Sequence, residues 1–168
     1  INAVSAQSGS DQWIPVSKDL FDILFVSDDI SRKTKGAFDA TLGPIVQEWR
    51  RATRKGYFPD KELIAHALVR TGYNKVKYKQ ANHSIQLKVK GMRLDIGGLG
   101  KGYAADEAVK VLKSYGIKSA MIDAGGKLAL MDPPQGEKGW KIVISSGRDS
   151  IETIEYANVG IATSGPTY

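Results

Sequence analysis

Asp95-Ile96-Gly97-Gly98-Leu99-Gly100-Lys101-Gly102-Tyr103-Ala104-Ala105-Asp106 is the stretch on which the reading of this chain turns. Glycine fills positions 97, 98, 100 and 102, and a helical apolar pattern follows. The pattern predicts a strand over 92–96, a glycine loop over 97–102, a helix over 103–115 closed by Gly116, and a second strand over 119–124. Backbone N–H groups exposed where a helix begins lie at the positive end of its dipole, so a phosphate or pyrophosphate is the natural guest. Lys101 adds a full positive charge there. The other reading is a turn whose glycines only permit close packing of strand and helix.

Working outward, Ser17 reads as the cap of a helix whose Leu20, Phe21, Leu24 and Ile30 share one face, ended by Gly36. In Gly36-Ala37-Phe38-Asp39-Ala40-Thr41-Leu42-Gly43-Pro44 an aromatic stands among turn formers, and Pro44 opens a short helix through Ile45, Val46 and Trp49. Asp60 caps a further helix over 61–70 that stops at Gly72. Residues 73–79 and 84–90 alternate apolar and basic residues around a turn at 80–83, which predicts a hairpin with one core face and one face of solvated lysine. RNA binding would require aromatics interleaved on that basic face, and Tyr73 and Tyr78 fall on opposite faces of the predicted strand. Further strands are expected over 127–131, 140–145, 153–156 and 160–164, with a Pro133-Pro134 loop among them. Helices first, antiparallel-looking strands later and one strand–loop–helix–strand unit between them define the class as α+β, a mixed and mostly antiparallel sheet with flanking helices.

The chain has 168 residues, 42% apolar and 25% charged, which excludes disorder and suits one domain over 1–168. No apolar run approaches the roughly 18 residues of a membrane-spanning helix. Cysteine is absent, which excludes disulfides and thiolate metal sites and leaves the compartment open. The net charge of +6 concentrates in Arg50, Arg51, Arg54 and Lys55, and in Lys75, Lys77, Lys79, Lys88, Lys90 and Arg93. The chain opens at Ile1 without methionine and stops just after Ala162-Thr163-Ser164-Gly165, so it reads as a fragment incomplete at both ends. A signal peptide or lipid anchor upstream therefore stays open.

Known phosphate loops can be set against these letters. Gly102 stands where a Walker A loop needs Ser or Thr, which excludes that loop. The dinucleotide fingerprint G-x-G-x-x-G/A does match Gly100-Lys101-Gly102-Tyr103-Ala104-Ala105, with Asp123 about 20 residues further on. That match predicts a nicotinamide-dependent oxidoreductase. Against it stand a charged Asp95 in the leading strand and later strands joined by loops where crossover helices are required. His66 and His83, the only histidines, lie in a predicted helix and a hairpin turn, and neither suits a general base for the loop. No serine stands in a nucleophile elbow; Ser145-Ser146-Gly147 reads as a strand end and turn.

The opening stretch also resembles the signature of the FAD:protein FMN transferases, the ApbE family, D-[LI]-G-G-[IL]-[AG]-K-G-[YW]-A-[VA]-D. Residues 36–44 resemble the family's G-[AG]-F-D-x-T-[VL]-G-P, with Trp49 where the family often has Trp. Asp123-Ala124-Gly125-Gly126 resembles its N-x-G-G turn, and Ala162-Thr163-Ser164-Gly165 followed by Tyr168 resembles its T-S-G segment. Order and spacing agree along essentially the whole chain, which the resemblance makes the central part of a longer pattern. The resemblance implies an Mg2+-dependent transferase that moves FMN from FAD to a Thr or Ser of an acceptor protein and releases AMP. Ala37, Phe38 and Asp39 would contact FAD, with Phe38 as an apolar wall. Asp95 would hydrogen-bond the flavin nucleotide, Lys101 would lie beside it, and Gly98 would lend a backbone carbonyl to Mg2+, a cation that prefers oxygen donors. Locally, Phe38 as core, Asp39 as a turn former and Thr41 as a cap are the alternatives.

The resemblance further implies a flavinylated acceptor in a membrane redox complex or an extracytoplasmic flavoprotein, and no nucleic acid. The protein itself would be extracytoplasmic, periplasmic or a lipoprotein held to the membrane only by an anchor outside this chain. The family's H-[IV]-[IL]-D-P-x-T-G stretch and its late Asp and Thr have no counterpart here, and Lys127 replaces an acidic residue or Asn. The chain is thus expected to carry much of the nucleotide pocket and half of the metal site. An FAD-binding or FAD-hydrolysing protein without transfer is the alternative, and the nicotinamide enzyme the second.

Overall fold

The Ser17 hydroxyl accepts from the Leu20 N–H, filling one of the orphan donors with which every helix begins. The helix it starts, Lys18–Lys33, is the second in a computed structural model that describes residues 1–145 and 151–163. It is α2, after α1 (Asn2–Ala6) and a short strand β1 (Ile14–Pro15). Ser17→Ala is expected to cost about 1 kcal/mol, seen as a lower urea midpoint at unchanged slope. The buried side of α2 is Phe21, Ile23, Leu24, Ser27 and Ser31. Leu20 and Ile30, expected in that stripe, are only half-buried, and small serines take the inner face of the last two turns.

The chain divides into two units, Ile1–Gly98 and Leu99–Tyr168. In the first, β2 (Val76–Lys79) and β3 (Ser84–Leu87) join β1 in an antiparallel sheet of order β1-β3-β2. The predicted strand over 73–79 is shortened because Tyr73–Lys75 closes into a 3₁₀ turn. The edge strand β2 keeps the expected alternation, Val76 buried and Lys77 and Lys79 exposed. The central strand β3 does not: Ser84, Ile85, Gln86 and Leu87 are all buried. Phe21 and Phe25 meet the Tyr78 ring edge-on, with centroids at 6.0 and 5.7 Å. The Tyr78 hydroxyl donates to the Leu24 carbonyl at 3.0 Å, and burial pushes its phenol upward, so it stays a neutral donor.

Two more helices complete this unit. The first, α3 (Gly43–Lys55), runs well beyond the short helix expected, and α4 (Lys61–Leu68) is capped by Asp60 as predicted. The N-terminal residues tie down far along the chain. The Ser5 hydroxyl accepts from Leu94 N–H, the Ser8 hydroxyl from Gly91 N–H, and Gly9 N–H donates to the Leu87 carbonyl.

Residues 92–96 do not form the predicted strand. Leu42 and Arg93 make an isolated bridge, Gly43 N–H donates to the Arg93 carbonyl and Asp95 N–H to the Ala40 carbonyl. One face is buried, with Met92 and Leu94 inside, which produced the strand-like alternation.

In the second unit α5 (Gly100–Ser114) begins inside the predicted glycine loop and places Gly100, Lys101 and Gly102 in its first turn. It packs on β4 (Met121–Asp123) and β5 (Lys127–Leu130), which form an antiparallel sheet of order β4-β5-β8 once β6 (Trp140–Ser145), β7 (Ile151–Tyr156) and β8 (Gly160–Ala162) are counted. β6 and β7 pair as a separate hairpin. Ala105, Ala129, Leu130 and Met131 are the buried apolar residues among those described in this unit. The class is α+β as expected. Every named strand pair among the described residues is antiparallel, so these pairs do not supply the parallel frame that the nicotinamide fingerprint needs. Ser146, Gly147, Ser164, Gly165 and Tyr168 lie outside the described residues. No helix among the described residues is long and apolar enough to cross a membrane.

Candidate functional site

In the first unit the two motif segments meet. A Cβ at Gly98 would lie 3.1 Å from Phe38 Cε2, so glycine lets the loop backbone lie against the ring. Gly43 likewise approaches Arg93 so closely that a Cβ would stand 2.5 Å from its carbonyl oxygen. With the Asp95–Ala40 hydrogen bond, these contacts dock residues 93–98 on residues 38–43. Phe38 is half-buried, and Ala37 is exposed just beyond the left-handed turn at Lys35 and Gly36.

Asp39 is a folding residue first. One carboxylate oxygen accepts from the Thr41 N–H and the Thr41 hydroxyl, both at 2.7 Å, and the other from the Tyr73 N–H at 3.0 Å. Thr41, 2% exposed, accepts in turn from the Gly72 N–H at 2.7 Å. Thr41 therefore holds the loop rather than capping the next helix, whose flanking residue Leu42 makes no side-chain cap.

Asp95 is held differently. Its Oδ1 accepts from the Gly97 N–H at 2.8 Å, folding the start of the glycine stretch back on itself, and its Oδ2 accepts from Arg50 Nη2 at 3.2 Å. In the sequence Arg50 stands only in a basic cluster with Arg51, Arg54 and Lys55. No local period could have announced its partner, 45 residues away. A groove of about 740 Å³ follows α3, lined by Val46, Gln47, Trp49, Arg50, Arg51, Thr53 and Arg54. None of the predicted site residues lines it, and Arg50 alone reaches from it to one of them.

In the second unit Lys101 sits in the first turn of α5, where Leu99 supplies no side-chain cap and no acidic residue stands. Its Nζ donates to the Gly125 carbonyl at 3.3 Å. Gly125 and Gly126, at φ +67° and +80°, form the two-residue turn between β4 and β5, and a left-handed pair of that kind selects glycine. The Asp123 carboxylate accepts from the Gly126 N–H at 2.7 Å. Lys127 donates to the Thr163 carbonyl at 2.7 Å, so the residue that departs from the family letter secures the start of the T-S-G segment. Three motif segments thus meet in this unit: the start of α5, the double-glycine turn and the exit of β8.

The residues present suit a nucleotide better than a free-standing metal. The Gly98 carbonyl accepts no backbone hydrogen bond among the described residues, which leaves it open as a single oxygen donor. Magnesium accepts so small a protein share when phosphates and waters fill its other positions. Among the described residues no three His, Cys, Asp or Glu side chains gather to hold a metal ion. Neither histidine enters the site: His66 lies in α4, and the His83 ring packs 5.2 Å from Phe21.

Within each unit the motif residues sit on turns that position backbone groups, and among the described residues no cluster of His, Cys, Asp or Glu accompanies them. The ApbE family model matches residues 1–168. The chain is 31% identical over 140 residues to the FAD:protein FMN transferase of Treponema pallidum, covering 80% of this chain and 38% of that protein. It is also 31% identical over 159 residues to the FAD:protein FMN transferase of Klebsiella pneumoniae, covering 90% and 45%. The crystal structure of the ApbE protein of Thermotoga maritima superimposes with a TM-score of 0.86 at 27% identity, covering 98% of this chain and 54% of that one. The flavinyl transferase ApbE of Pseudomonas stutzeri, apo form, gives 0.81 at 26%, covering 95% and 49%. The chain belongs to the ApbE family, and it spans about half the length, or less, of these relatives.

Proposed function

We propose that the whole protein of which this chain is part transfers FMN from FAD to a Thr or Ser side chain of an acceptor protein and releases AMP. The observation that carries this reading is the family match along all 168 residues, supported by Gly36, Gly98, Gly125 and Gly126, which stand where a positive φ or a close approach favours glycine. In the balanced step the acceptor hydroxyl oxygen forms a bond to the FMN phosphorus, and the bond from that phosphorus to the bridging oxygen breaks. AMP leaves with that oxygen, and the hydroxyl proton passes to a base that none of the residues named here supplies.

This chain's own part is binding and orientation. Phe38 offers an apolar wall, and Asp95 an acceptor-only carboxylate for hydroxyl or N–H groups of the nucleotide. Lys101 and the uncapped N–H groups of α5 offer charge and donors for the pyrophosphate. The Gly98 carbonyl would be this chain's ligand to Mg2+, which would supply counter-charge to the phosphates. The acceptor is inferred to be a flavoprotein of a membrane redox complex or another extracytoplasmic flavoprotein, and the protein itself to work outside the cytoplasm.

The test is the full-length protein incubated with FAD, Mg2+ and a candidate flavoprotein acceptor. AMP release together with a fluorescent acceptor band on a denaturing gel is expected, with EDTA abolishing both and added Mg2+ restoring them. FMN release without acceptor would make the protein a hydrolase, and FAD binding without turnover a carrier; either outcome replaces the transferase reading.

A further inference from the structure

We propose that Arg50 is a positioning residue for the nucleotide site, fixing the Asp95 carboxylate in the orientation that receives the flavin nucleotide. The inference rests on the reading that Asp95 meets that nucleotide, and adds to it a residue that no motif contains. One side of α3 grips the segment before the glycines at two points one helical turn apart. With its amide oxygen turned toward Arg93, Gln47 accepts from that guanidinium at 3.0 and 3.2 Å. Three residues on, Arg50 Nη2 donates to Asp95 Oδ2 at 3.2 Å.

The two bonds on Asp95 act together. Oδ1 is spent on the Gly97 N–H, which sets the turn, while Arg50 on Oδ2 stops rotation of the carboxylate about its own axis. A carboxylate has about four acceptor positions, so after these two bonds it still accepts from a ligand. Without Arg50 the group would swing between the Gly97 turn and water, and each binding event would have to order it again. The Asp95 side chain is 22% exposed and that of Arg50 68%, so the pair is sheltered on one side only and remains open to salt.

The experiment is a double-mutant cycle on FAD affinity in the full-length protein, followed by flavin fluorescence with R50A, D95N and the combination. At low salt R50A is expected to weaken FAD about fivefold, the upper range of a solvent-screened ion pair. The double variant should bind no more weakly than D95N alone, and R50K should recover most of the loss. In about 1 M NaCl, where the Debye length is about 3 Å, the gap between parent and R50A should close. A merely structural arginine would keep its gap in salt and would not be rescued by lysine. Losses from R50A and D95N that multiply, or an R50A protein that binds FAD as tightly as the parent or more so, would overturn the proposal while leaving FAD binding intact. A parent protein with no FAD binding would overturn both this proposal and the reading beneath it.

Discussion

Asp39→Ala is expected to lower the unfolding free energy by about 3 kcal/mol, the largest loss for any single side chain in the first motif segment. The carboxylate serves three donors, Thr41 N–H, Thr41 O–H and Tyr73 N–H. Hydrogen bonds to a charged group contribute about 1.5–3 kcal/mol each, and their losses overlap because one carboxylate anchors all three. Thr41 would then keep only its bond from Gly72, and the chain near Tyr73 would lose its tie to the loop that carries Phe38. Asp39→Asn keeps one carbonyl acceptor and turns an amide N–H2 toward one former donor, so a loss between those of parent and alanine variant is expected. Urea unfolding of the three proteins measures this directly. An alanine variant within about 0.5 kcal/mol of the parent would overturn the structural role given to Asp39.

Lys101→Ala is expected to weaken FAD about ten- to a hundredfold, the range of a lost charge-assisted bond to phosphate of about 1.5–3 kcal/mol. Stability should hardly change, because Lys101 is exposed and its tie to the Gly125 carbonyl is a long one of 3.3 Å. Lys101→Arg keeps the charge and should recover part of the affinity. Flavin fluorescence titration at two ionic strengths separates charge from shape, since the parent should lose affinity in salt faster than the alanine variant. If Lys101→Ala binds FAD like the parent, the start of α5 is a packing turn, as the alternative reading of its glycines holds.

Much of the fold was legible where the cause is local. Ser17 and Asp60 cap their helices with the hydroxyl and carboxylate that mark them in sequence, and Gly116 takes the left-handed position after α5. Elements made by distant partners were not legible. α1 and β1 are too short to show a period, and Ser5 and Ile14 find their roles only through Leu94 and Ile85. The alternation at 92–96 reported burial correctly and a strand incorrectly, because Met92 and Leu94 face inward with only an isolated bridge beside them. The start of α5 at Gly100 was not legible because glycines are poor helix formers and so mask a helix start.

The site divides the same way. Gly98, Gly125 and Gly126 could be read from their letters because close approach or positive φ leaves few other choices. The double duty of Asp39, to turn and to Tyr73, and the Arg50 clamp on Asp95 could not, since each joins segments 34 or 45 residues apart.

The two serines of the N-terminal segment also set an order of events. Ser5 and Leu94 are 89 positions apart, and Ser8 and Gly91 are 83 apart. Closing such long loops costs chain entropy before the contacts reward it, so these two ties are expected to form late in the folding of the first unit. A nascent chain leaving the ribosome cannot complete that unit until about residue 94 is free of the exit tunnel. Asp95 would take its place beside Arg50 only as synthesis reaches the glycines.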